Sequence, residues 1–481
     1  MTAIRYSCTT IVSLALASSA ACMGMVGDGF VEPTSETDGT EVPEEFPHAG
    51  LCPGGDAAFQ AFLAEAEQLV DEVDSPGVGL AIVCGGKIAH TAGIGTVKAG
   101  GPAITADTHF QLASSTKMFT AAAAARLDAQ GVVNLDAPIS DYIPNLQFGY
   151  ITLRELLSHS SGIPGELDSY QSSTLEGLVR ANESMQLWAQ PGAVWNYSNT
   201  GYLVAGAVLE AATGEGFATI IKNHVFAPAG MTGATMATSE VLAAGTFAYG
   251  HEGTTTFGPN DSYYGSAEYG PMGGAWSSAR DMGLWAEAHF SSDDPLGADV
   301  MTSLRRQAMR TGSTGQGYGL GLFVEDSSPV MLHHGGNVEG FTASFTMVPA
   351  SGFAVVVLSH GGAGFAGEGL ALNPDAIADL ALDAYVPELS YGTPQSPATH
   401  AELVGTYSSA PSVFGEVIIR ETGGGLEAEF VDKGITRPLT LWYGDSYGVD
   451  LPPDGEIDIT FWRDPGQSAS HIVSRYGVAA R

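Results

Sequence analysis

Ser114-Ser115-Thr116-Lys117 sets a hydroxyl and an amine three residues apart at the head of an alanine-rich run. Residues at that spacing share a helical face, so Lys117 Nζ can approach Ser114 Oγ, and a helix N-terminus favours the negative charge that a reacting serine develops. A serine hydroxyl is a weak nucleophile until a neighbouring base takes its proton, and a buried lysine whose charge is disfavoured can serve. The chain has five lysines, and Met118, Phe119 and Ala121 to Ala125 leave Lys117 little solvated surface. Taken alone, the pattern also fits an N-cap serine followed by a solvated lysine.

Two further clusters carry chemistry. Tyr197-Ser198-Asn199 follows the turn signal Pro191-Gly192 and precedes a helix, so one loop can present a phenol that relays a proton and a carboxamide that holds a substrate amide. The alternative is a capping Asn beside a core Tyr. His334-Gly335-Gly336 falls where a strand is expected, with glycines that let a substrate backbone lie against the strand edge. By itself it fits an exposed imidazole beside a turn. Gly444-Asp445-Ser446-Tyr447-Gly448 matches the G-x-S-x-G nucleophile elbow, but Pro452-Pro453 follows where a helix is required, so Ser446 reads as turn chemistry. No His-Glu-x-x-His pair or close Cys/His cluster supports a metal, and adjacent His333 and His334 would point to opposite faces of a strand.

In this order the three clusters resemble the S-x-x-K, Y-x-N and K-T-G/H-x-G boxes of the class C β-lactamase and penicillin-binding serine hydrolase family, which includes D-alanyl-D-alanine carboxypeptidases. The likeness extends through Phe110 to Thr120, Leu156 to Pro164, Pro191 to Leu203, Phe226 to Thr232, Gly273 to Asp281, Tyr318 to Leu322 and His334 to Phe341. It implies a β-lactamase/DD-peptidase-like α/β fold: a mixed antiparallel sheet with an inserted helical subdomain. It also implies acyl transfer without a cofactor. Ser114 would attack a carbonyl, Lys117 and Tyr197 would handle the proton, and the backbone N–H groups of Ser114 and Asn337 would form the oxyanion hole. Asn199 and Gly336 would line the substrate, and His334 would face its carboxylate or polar tail. His334 stands where β-lactamases proper have lysine, which turns the expectation from penicillin toward D-amino-acid peptides or esters. His159 matches a family loop and reads as structural. A non-catalytic receptor for cell-wall fragments on the same fold is the rival, and intact Ser114, Lys117 and Tyr197 weigh against it.

The elements that must position these residues are legible as patterns. Asp56 to Val73 places apolar residues at three- and four-residue spacing, an amphipathic helix. Val78 to Cys84, Gly85-Gly86 and Lys87 to Ile94 read as a hairpin, and Ala343 to Val348 with Phe353 to Leu358 as a second strand pair before a helix from Asp375 to Tyr385. Between them lies a mainly helical middle, with Ser114 to Gln130 stopping at Gly131 and Gly201 to Thr213 stopping at Gly214. After residue 390 short β-like runs separated by Gly and Pro indicate a small β-rich domain.

The 481 residues give two to four domains at about 100 to 200 residues each, and 44% hydrophobic content excludes general disorder. A net charge of −35 repels a phosphate backbone, so nucleic acid is not an expected partner. Residues 1–21 read as a signal peptide, and Ser19-Ala20-Ala21-Cys22 resembles a lipoprotein processing site, with Leu more usual at the first position. The expectation is an exported chain anchored to a membrane through lipid on Cys22, facing the periplasm or cell surface; simple cleavage to a soluble periplasmic or secreted form is the alternative. Residues 22–49, rich in acidic side chains, read as a disordered linker, 50–390 as the hydrolase domain and 391–481 as the β-rich domain. The expected partners are a small-molecule or peptidoglycan-like substrate and the membrane. Export to an oxidising compartment leaves Cys52 and Cys84 as a disulfide or as two buried thiols.

Overall fold

A computed structural model describes residues 41–481, apart from 44, 73–74, 168–171, 253–254, 261–268, 294, 298, 313–315, 362–371, 392–398, 410–413, 444, 452–455, 464–465 and 475–476. The expected signal segment and Cys22 lie outside the described residues.

Helix α1 (Gly55–Glu72) is followed by strands β1 (Gly77–Cys84) and β2 (Lys87–Gly95), which turn at Gly85-Gly86 as the sequence indicates. The chain then enters the helical region, including α2 (Lys117–Ala129), α3 (Asn199–Thr213) and α4 (Ala279–Phe290). It returns through β3 (Met309–Arg310), β4 (Gln316–Tyr318), β5 (Phe323–Glu325), β6 (Met331–Val338), β7 (Phe341–Val348) and β8 (Phe353–Ser359), and α5 (Pro374–Tyr385) closes the domain. The eight strands make one sheet in the order β2-β1-β8-β7-β6-β5-β4-β3. Every pairing in it is antiparallel.

The central strands read as unbroken apolar runs because both sheet faces are covered. On β1, Ala81 and Val83 enter the core shared with α2, α3 and α4, whereas Val78, Leu80, Ile82 and Cys84 enter a second core with Phe59 and Phe62 of α1 and Ile377 and Ala381 of α5. On β8, Val356 and Leu358 join the first and Val355 and Val357 the second, as the two-residue period of a strand requires. Cys52 and Cys84 are bonded across a sequence separation of 32 residues, tying the segment before α1 to the end of β1. The expected linker ends earlier than residue 49: Phe46 packs edge-on against Phe290 of α4 with ring centroids 6.1 Å apart, and Gly50 N–H bonds to Cys84 O at 2.7 Å. An aromatic side chain with a pocket to fill outweighs the solvating acidic residues around it.

The C-terminal unit is a separate nine-stranded antiparallel sheet. Its strands are β9 (Gly405–Ser408), β10 (Glu416–Thr422), β11 (Gly425–Phe430), β12 (Ile435–Pro438), β13 (Thr440–Tyr443), β14 (Ser446–Asp450), β15 (Glu456–Trp462), β16 (His471–Ser474) and β17 (Gly477–Ala480). They run in the order β12-β11-β10-β9-β17-β16-β15-β14-β13, barrel-like, around Tyr407, Phe430, Ile459 and Phe461. Ser446 opens β14, and among the described residues no helix follows it; its buried Oγ lies 2.7 Å from Thr460 Oγ1, a link between paired strands. That arrangement offers no nucleophile elbow.

Candidate active site

Ser114 sits in a 3-10 turn, Ala113–Thr116, that runs straight into α2. Ala113 adopts φ 47°, a left-handed conformation costly for a residue with a Cβ, and this sharp entry lifts the serine out of the core. Within Gln111 to Thr120, Ser114 alone escapes full burial. The alanine run has no polar face because α2 is surrounded: Ala121 to Ala124 are wholly buried. Lys117 therefore points inward with no exposure.

Three acceptors converge on Lys117 Nζ: Asn199 Oδ1 at 2.7 Å, the Met272 carbonyl at 2.8 Å and Ser114 Oγ at 3.1 Å. The first two belong to buried residues and accept N–H bonds whether the amine is charged or neutral. A neutral amine held by both can direct its lone pair at the Ser114 hydroxyl without moving. The Tyr197 ring centroid lies 4.9 Å from the same Nζ. The Ser114 hydroxyl and Lys117 amine, three residues apart, thus share one site with the ring of Tyr197, which is remote from them in sequence.

The Tyr197–Asn199 segment is fastened from beneath by His159. Its imidazole Nδ1 accepts the Ser198 N–H at 2.9 Å, its carbonyl accepts the Asn196 N–H at 2.7 Å, and its ring lies 4.3 Å from that of Tyr197. Burial, and then the neighbouring Lys117, hold His159 well below the usual imidazole range, so it is a neutral acceptor. Ser198 caps α3 by accepting the Gly201 N–H, and Asn199 opens that helix. Asn199 is linked at both ends, since its Nδ2 donates to Glu166 Oε1 at 2.6 Å.

On the far side lies β6. Its partner β5 pairs only with Met331 to His333, so from His334 onward that edge faces the Ser114 turn instead of another strand. Ser115 Oγ donates to His334 O at 3.2 Å, which locks turn and strand together. A Cβ on Gly336 would lie 2.0 Å from Leu112 O and 3.2 Å from Ser115 N, so only glycine permits this approach. Asn337, the next residue, is partly exposed.

His334, expected to face the polar end of a substrate, is buried at the site. The side chain is 2% exposed, with Nδ1 2.6 Å from Gly335 O and Nε2 3.0 Å from the Tyr318 hydroxyl. One tautomer satisfies both contacts: Nδ1–H donates to the carbonyl and Nε2 accepts from Tyr318. Burial first, then Lys117, push its pKa down to about 3, so the ring is neutral at ordinary pH. His333, on the opposite face as strand geometry requires, pairs with Glu325 at 2.8 Å.

Glu166, Met272 and Tyr318 also bear on this site and were not singled out from sequence. Glu166 lies two residues past the matched Leu156–Pro164 run, Met272 adjoins the matched Gly273 segment, and Tyr318 opens the matched Tyr318–Leu322 run. Nothing in their residue type alone sets them apart. Among the described residues no group of three or more His, Cys, Asp or Glu side chains is arranged to hold a metal ion.

A family model, Beta-lactamase, matches residues 62–378. The chain belongs to the β-lactamase family. The putative penicillin-binding protein PbpX of Bacillus subtilis (strain 168) is 30% identical over 257 residues, covering 52% of this chain and 61% of PbpX, so the chain spans about three fifths of that relative. In solved structures, SurE with D-Leu superposes with a TM-score of 0.66 at 23% identity, over 89% of this chain and all of SurE. The class C β-lactamase from Rhodobacter sphaeroides gives 0.58 at 20% identity, over 68% and 99%. These structural likenesses establish the β-lactamase-type fold, and the family to which the chain belongs is one of serine hydrolases.

Proposed function

We propose that the protein is an exported serine hydrolase that cleaves an amide or ester through an acyl-enzyme on Ser114. The observation that carries this reading is the set of contacts at Lys117: a fully buried amine 3.1 Å from Ser114 Oγ, held by Asn199 Oδ1 and Met272 O. Ser114 Oγ attacks the substrate carbonyl carbon while its proton passes to the Lys117–Tyr197 pair. The oxyanion is taken by the backbone N–H groups of Ser114 and Asn337. Collapse breaks the bond to the leaving alcohol or amine, which receives that proton. Water then attacks the acyl carbon, and its proton returns through the same pair to Ser114.

The burial of His334 bears on the substrate class. With His334 neutral and buried, binding at the β6 edge rests on shape and backbone hydrogen bonds, which favours neutral esters and amides over substrates chosen for a carboxylate. A pre-steady-state assay with p-nitrophenyl acetate tests the scheme: a burst of one nitrophenolate per chain followed by slower turnover is expected. Binding without any burst or turnover would support the non-catalytic receptor instead.

A further inference from the structure

Tyr197 is carried on a segment, residues 188–198, with no helix or strand of its own. Its inner side is tied by backbone bonds from Trp188 N to Gly162 O, Gly192 N to Ser160 O and Asn196 N to His159 O, each 2.7 Å. Its outer side meets the C-terminal domain.

On β16 and β17 the strand alternation divides neighbouring residues between two environments. Ile472 and Ala479, paired across the strands, point into the barrel core. The adjacent cross-strand pair, Val473 and Val478, points out of the barrel and would be solvated in an isolated domain. Instead it is buried against Val194, which is 0% exposed, with Trp188, Ala189 and Trp462 at its margin. Val194 stands three residues before Tyr197, so this contact lies within about 10 Å of chain from the phenol-bearing residue.

We propose that the C-terminal domain is a positioning element for catalysis, with Val473, Val478 and Trp462 fixing the Trp188–Tyr197 segment and thereby Tyr197. This rests on the acyl-transfer reading above. A catalytic group displaced by about 1 Å can cost 10²-fold in rate, so a small apolar contact at the outer side of this loop controls chemistry at its inner side. The domain's own barrel core is separate from that contact, which makes the two effects separable by mutation.

The test is the kinetics of labelling by a fluorophosphonate probe, followed by intact mass, with rate constant and endpoint recorded from pH 5 to 9. The variants are Val473→Ala/Val478→Ala and, from the other side of the contact, Val194→Ala. Both are expected to label to the wild-type endpoint with a rate constant lower by roughly 10-fold or more and a displaced pH midpoint, while Val473→Ile restores the rate. Val449→Ala, in the barrel core, is expected to lower the melting temperature and leave the rate constant alone. Wild-type rate constants in Val194→Ala, or equal slowing in Val449→Ala, would overturn the proposal. A reduced endpoint with an unchanged rate constant would also overturn it, as simple loss of folded protein. Absence of labelling in the wild type would instead remove the acyl-transfer reading, and this proposal with it.

Discussion

At the scale of single residues, the proposed chemistry depends on which groups carry charge beside Ser114. Lys117→Ala is expected to lower the rate roughly 10²- to 10⁴-fold, the usual size of an acid–base contribution, with little change in KM, as measured by steady-state ester hydrolysis. His334 leads to a different expectation. Its folded pKa of about 3 lies below the ordinary 6.5, so above pH 6.5 neither folded nor unfolded chain carries this proton. As pH falls through the window between those values the unfolded chain binds it first, and folding stability is lost. At pH 5 this amounts to about 2 kcal/mol. Urea unfolding midpoints at pH 7 and pH 5 should therefore differ by less in His334→Gln than in wild type, and KM for a carboxylate substrate should show no His334 step between pH 5 and 8. Ser114 with Lys117 and Tyr197 with Asn199 could be picked out from sequence because each pair is closely spaced and the clusters, in this order, resemble the boxes of a known family. The neutrality of His334 could not, because it arises from burial beside Lys117 and Tyr318, which are remote in sequence.

At the scale of elements, the site is a meeting of three: the turn at Ala113, the end of β6 and the start of α3. Gly336→Ala places a Cβ against Leu112 O at 2.0 Å, which forces β6 away from the Ser114 turn and separates the two backbone N–H donors. A fall in kcat of about 10² or more is expected, in line with loss of an oxyanion donor, with the far-UV spectrum preserved. The disulfide acts on a different element. Its loop, with a separation of 32 residues, is worth about 4 kcal/mol on the chain-entropy model, so Cys84→Ser should lower the denaturation midpoint without changing active-site labelling. Hairpins, terminal helices and the sheet were legible because apolar periodicity follows directly from burial on one face or two. The docking of Phe46 was not, since an aromatic residue in an acidic, Pro-rich stretch shows its pocket only once Phe290 is in place.

At the scale of the whole molecule, a β-lactamase-type domain and a nine-stranded sheet are joined where Val194 meets Val473 and Val478. Sequence separated the two units by the change from helical to short β-like runs. It could not reveal their contact, because an outward-facing valine pair looks like any other strand pattern until the opposing surface is known. The amino-terminal segment brings a prediction of its own. If Cys22 carries lipid, Cys22→Ser should move the protein from the membrane fraction to the soluble one, and a wild type already soluble after export would leave simple cleavage.

The nucleophile assignment is tested most directly by mapping the fluorophosphonate adduct to a residue by peptide mass spectrometry. The label is expected on Ser114, lost in Ser114→Ala and retained in Ser446→Ala. Labelling that persists in Ser114→Ala at the wild-type rate, on any other residue, would contradict it.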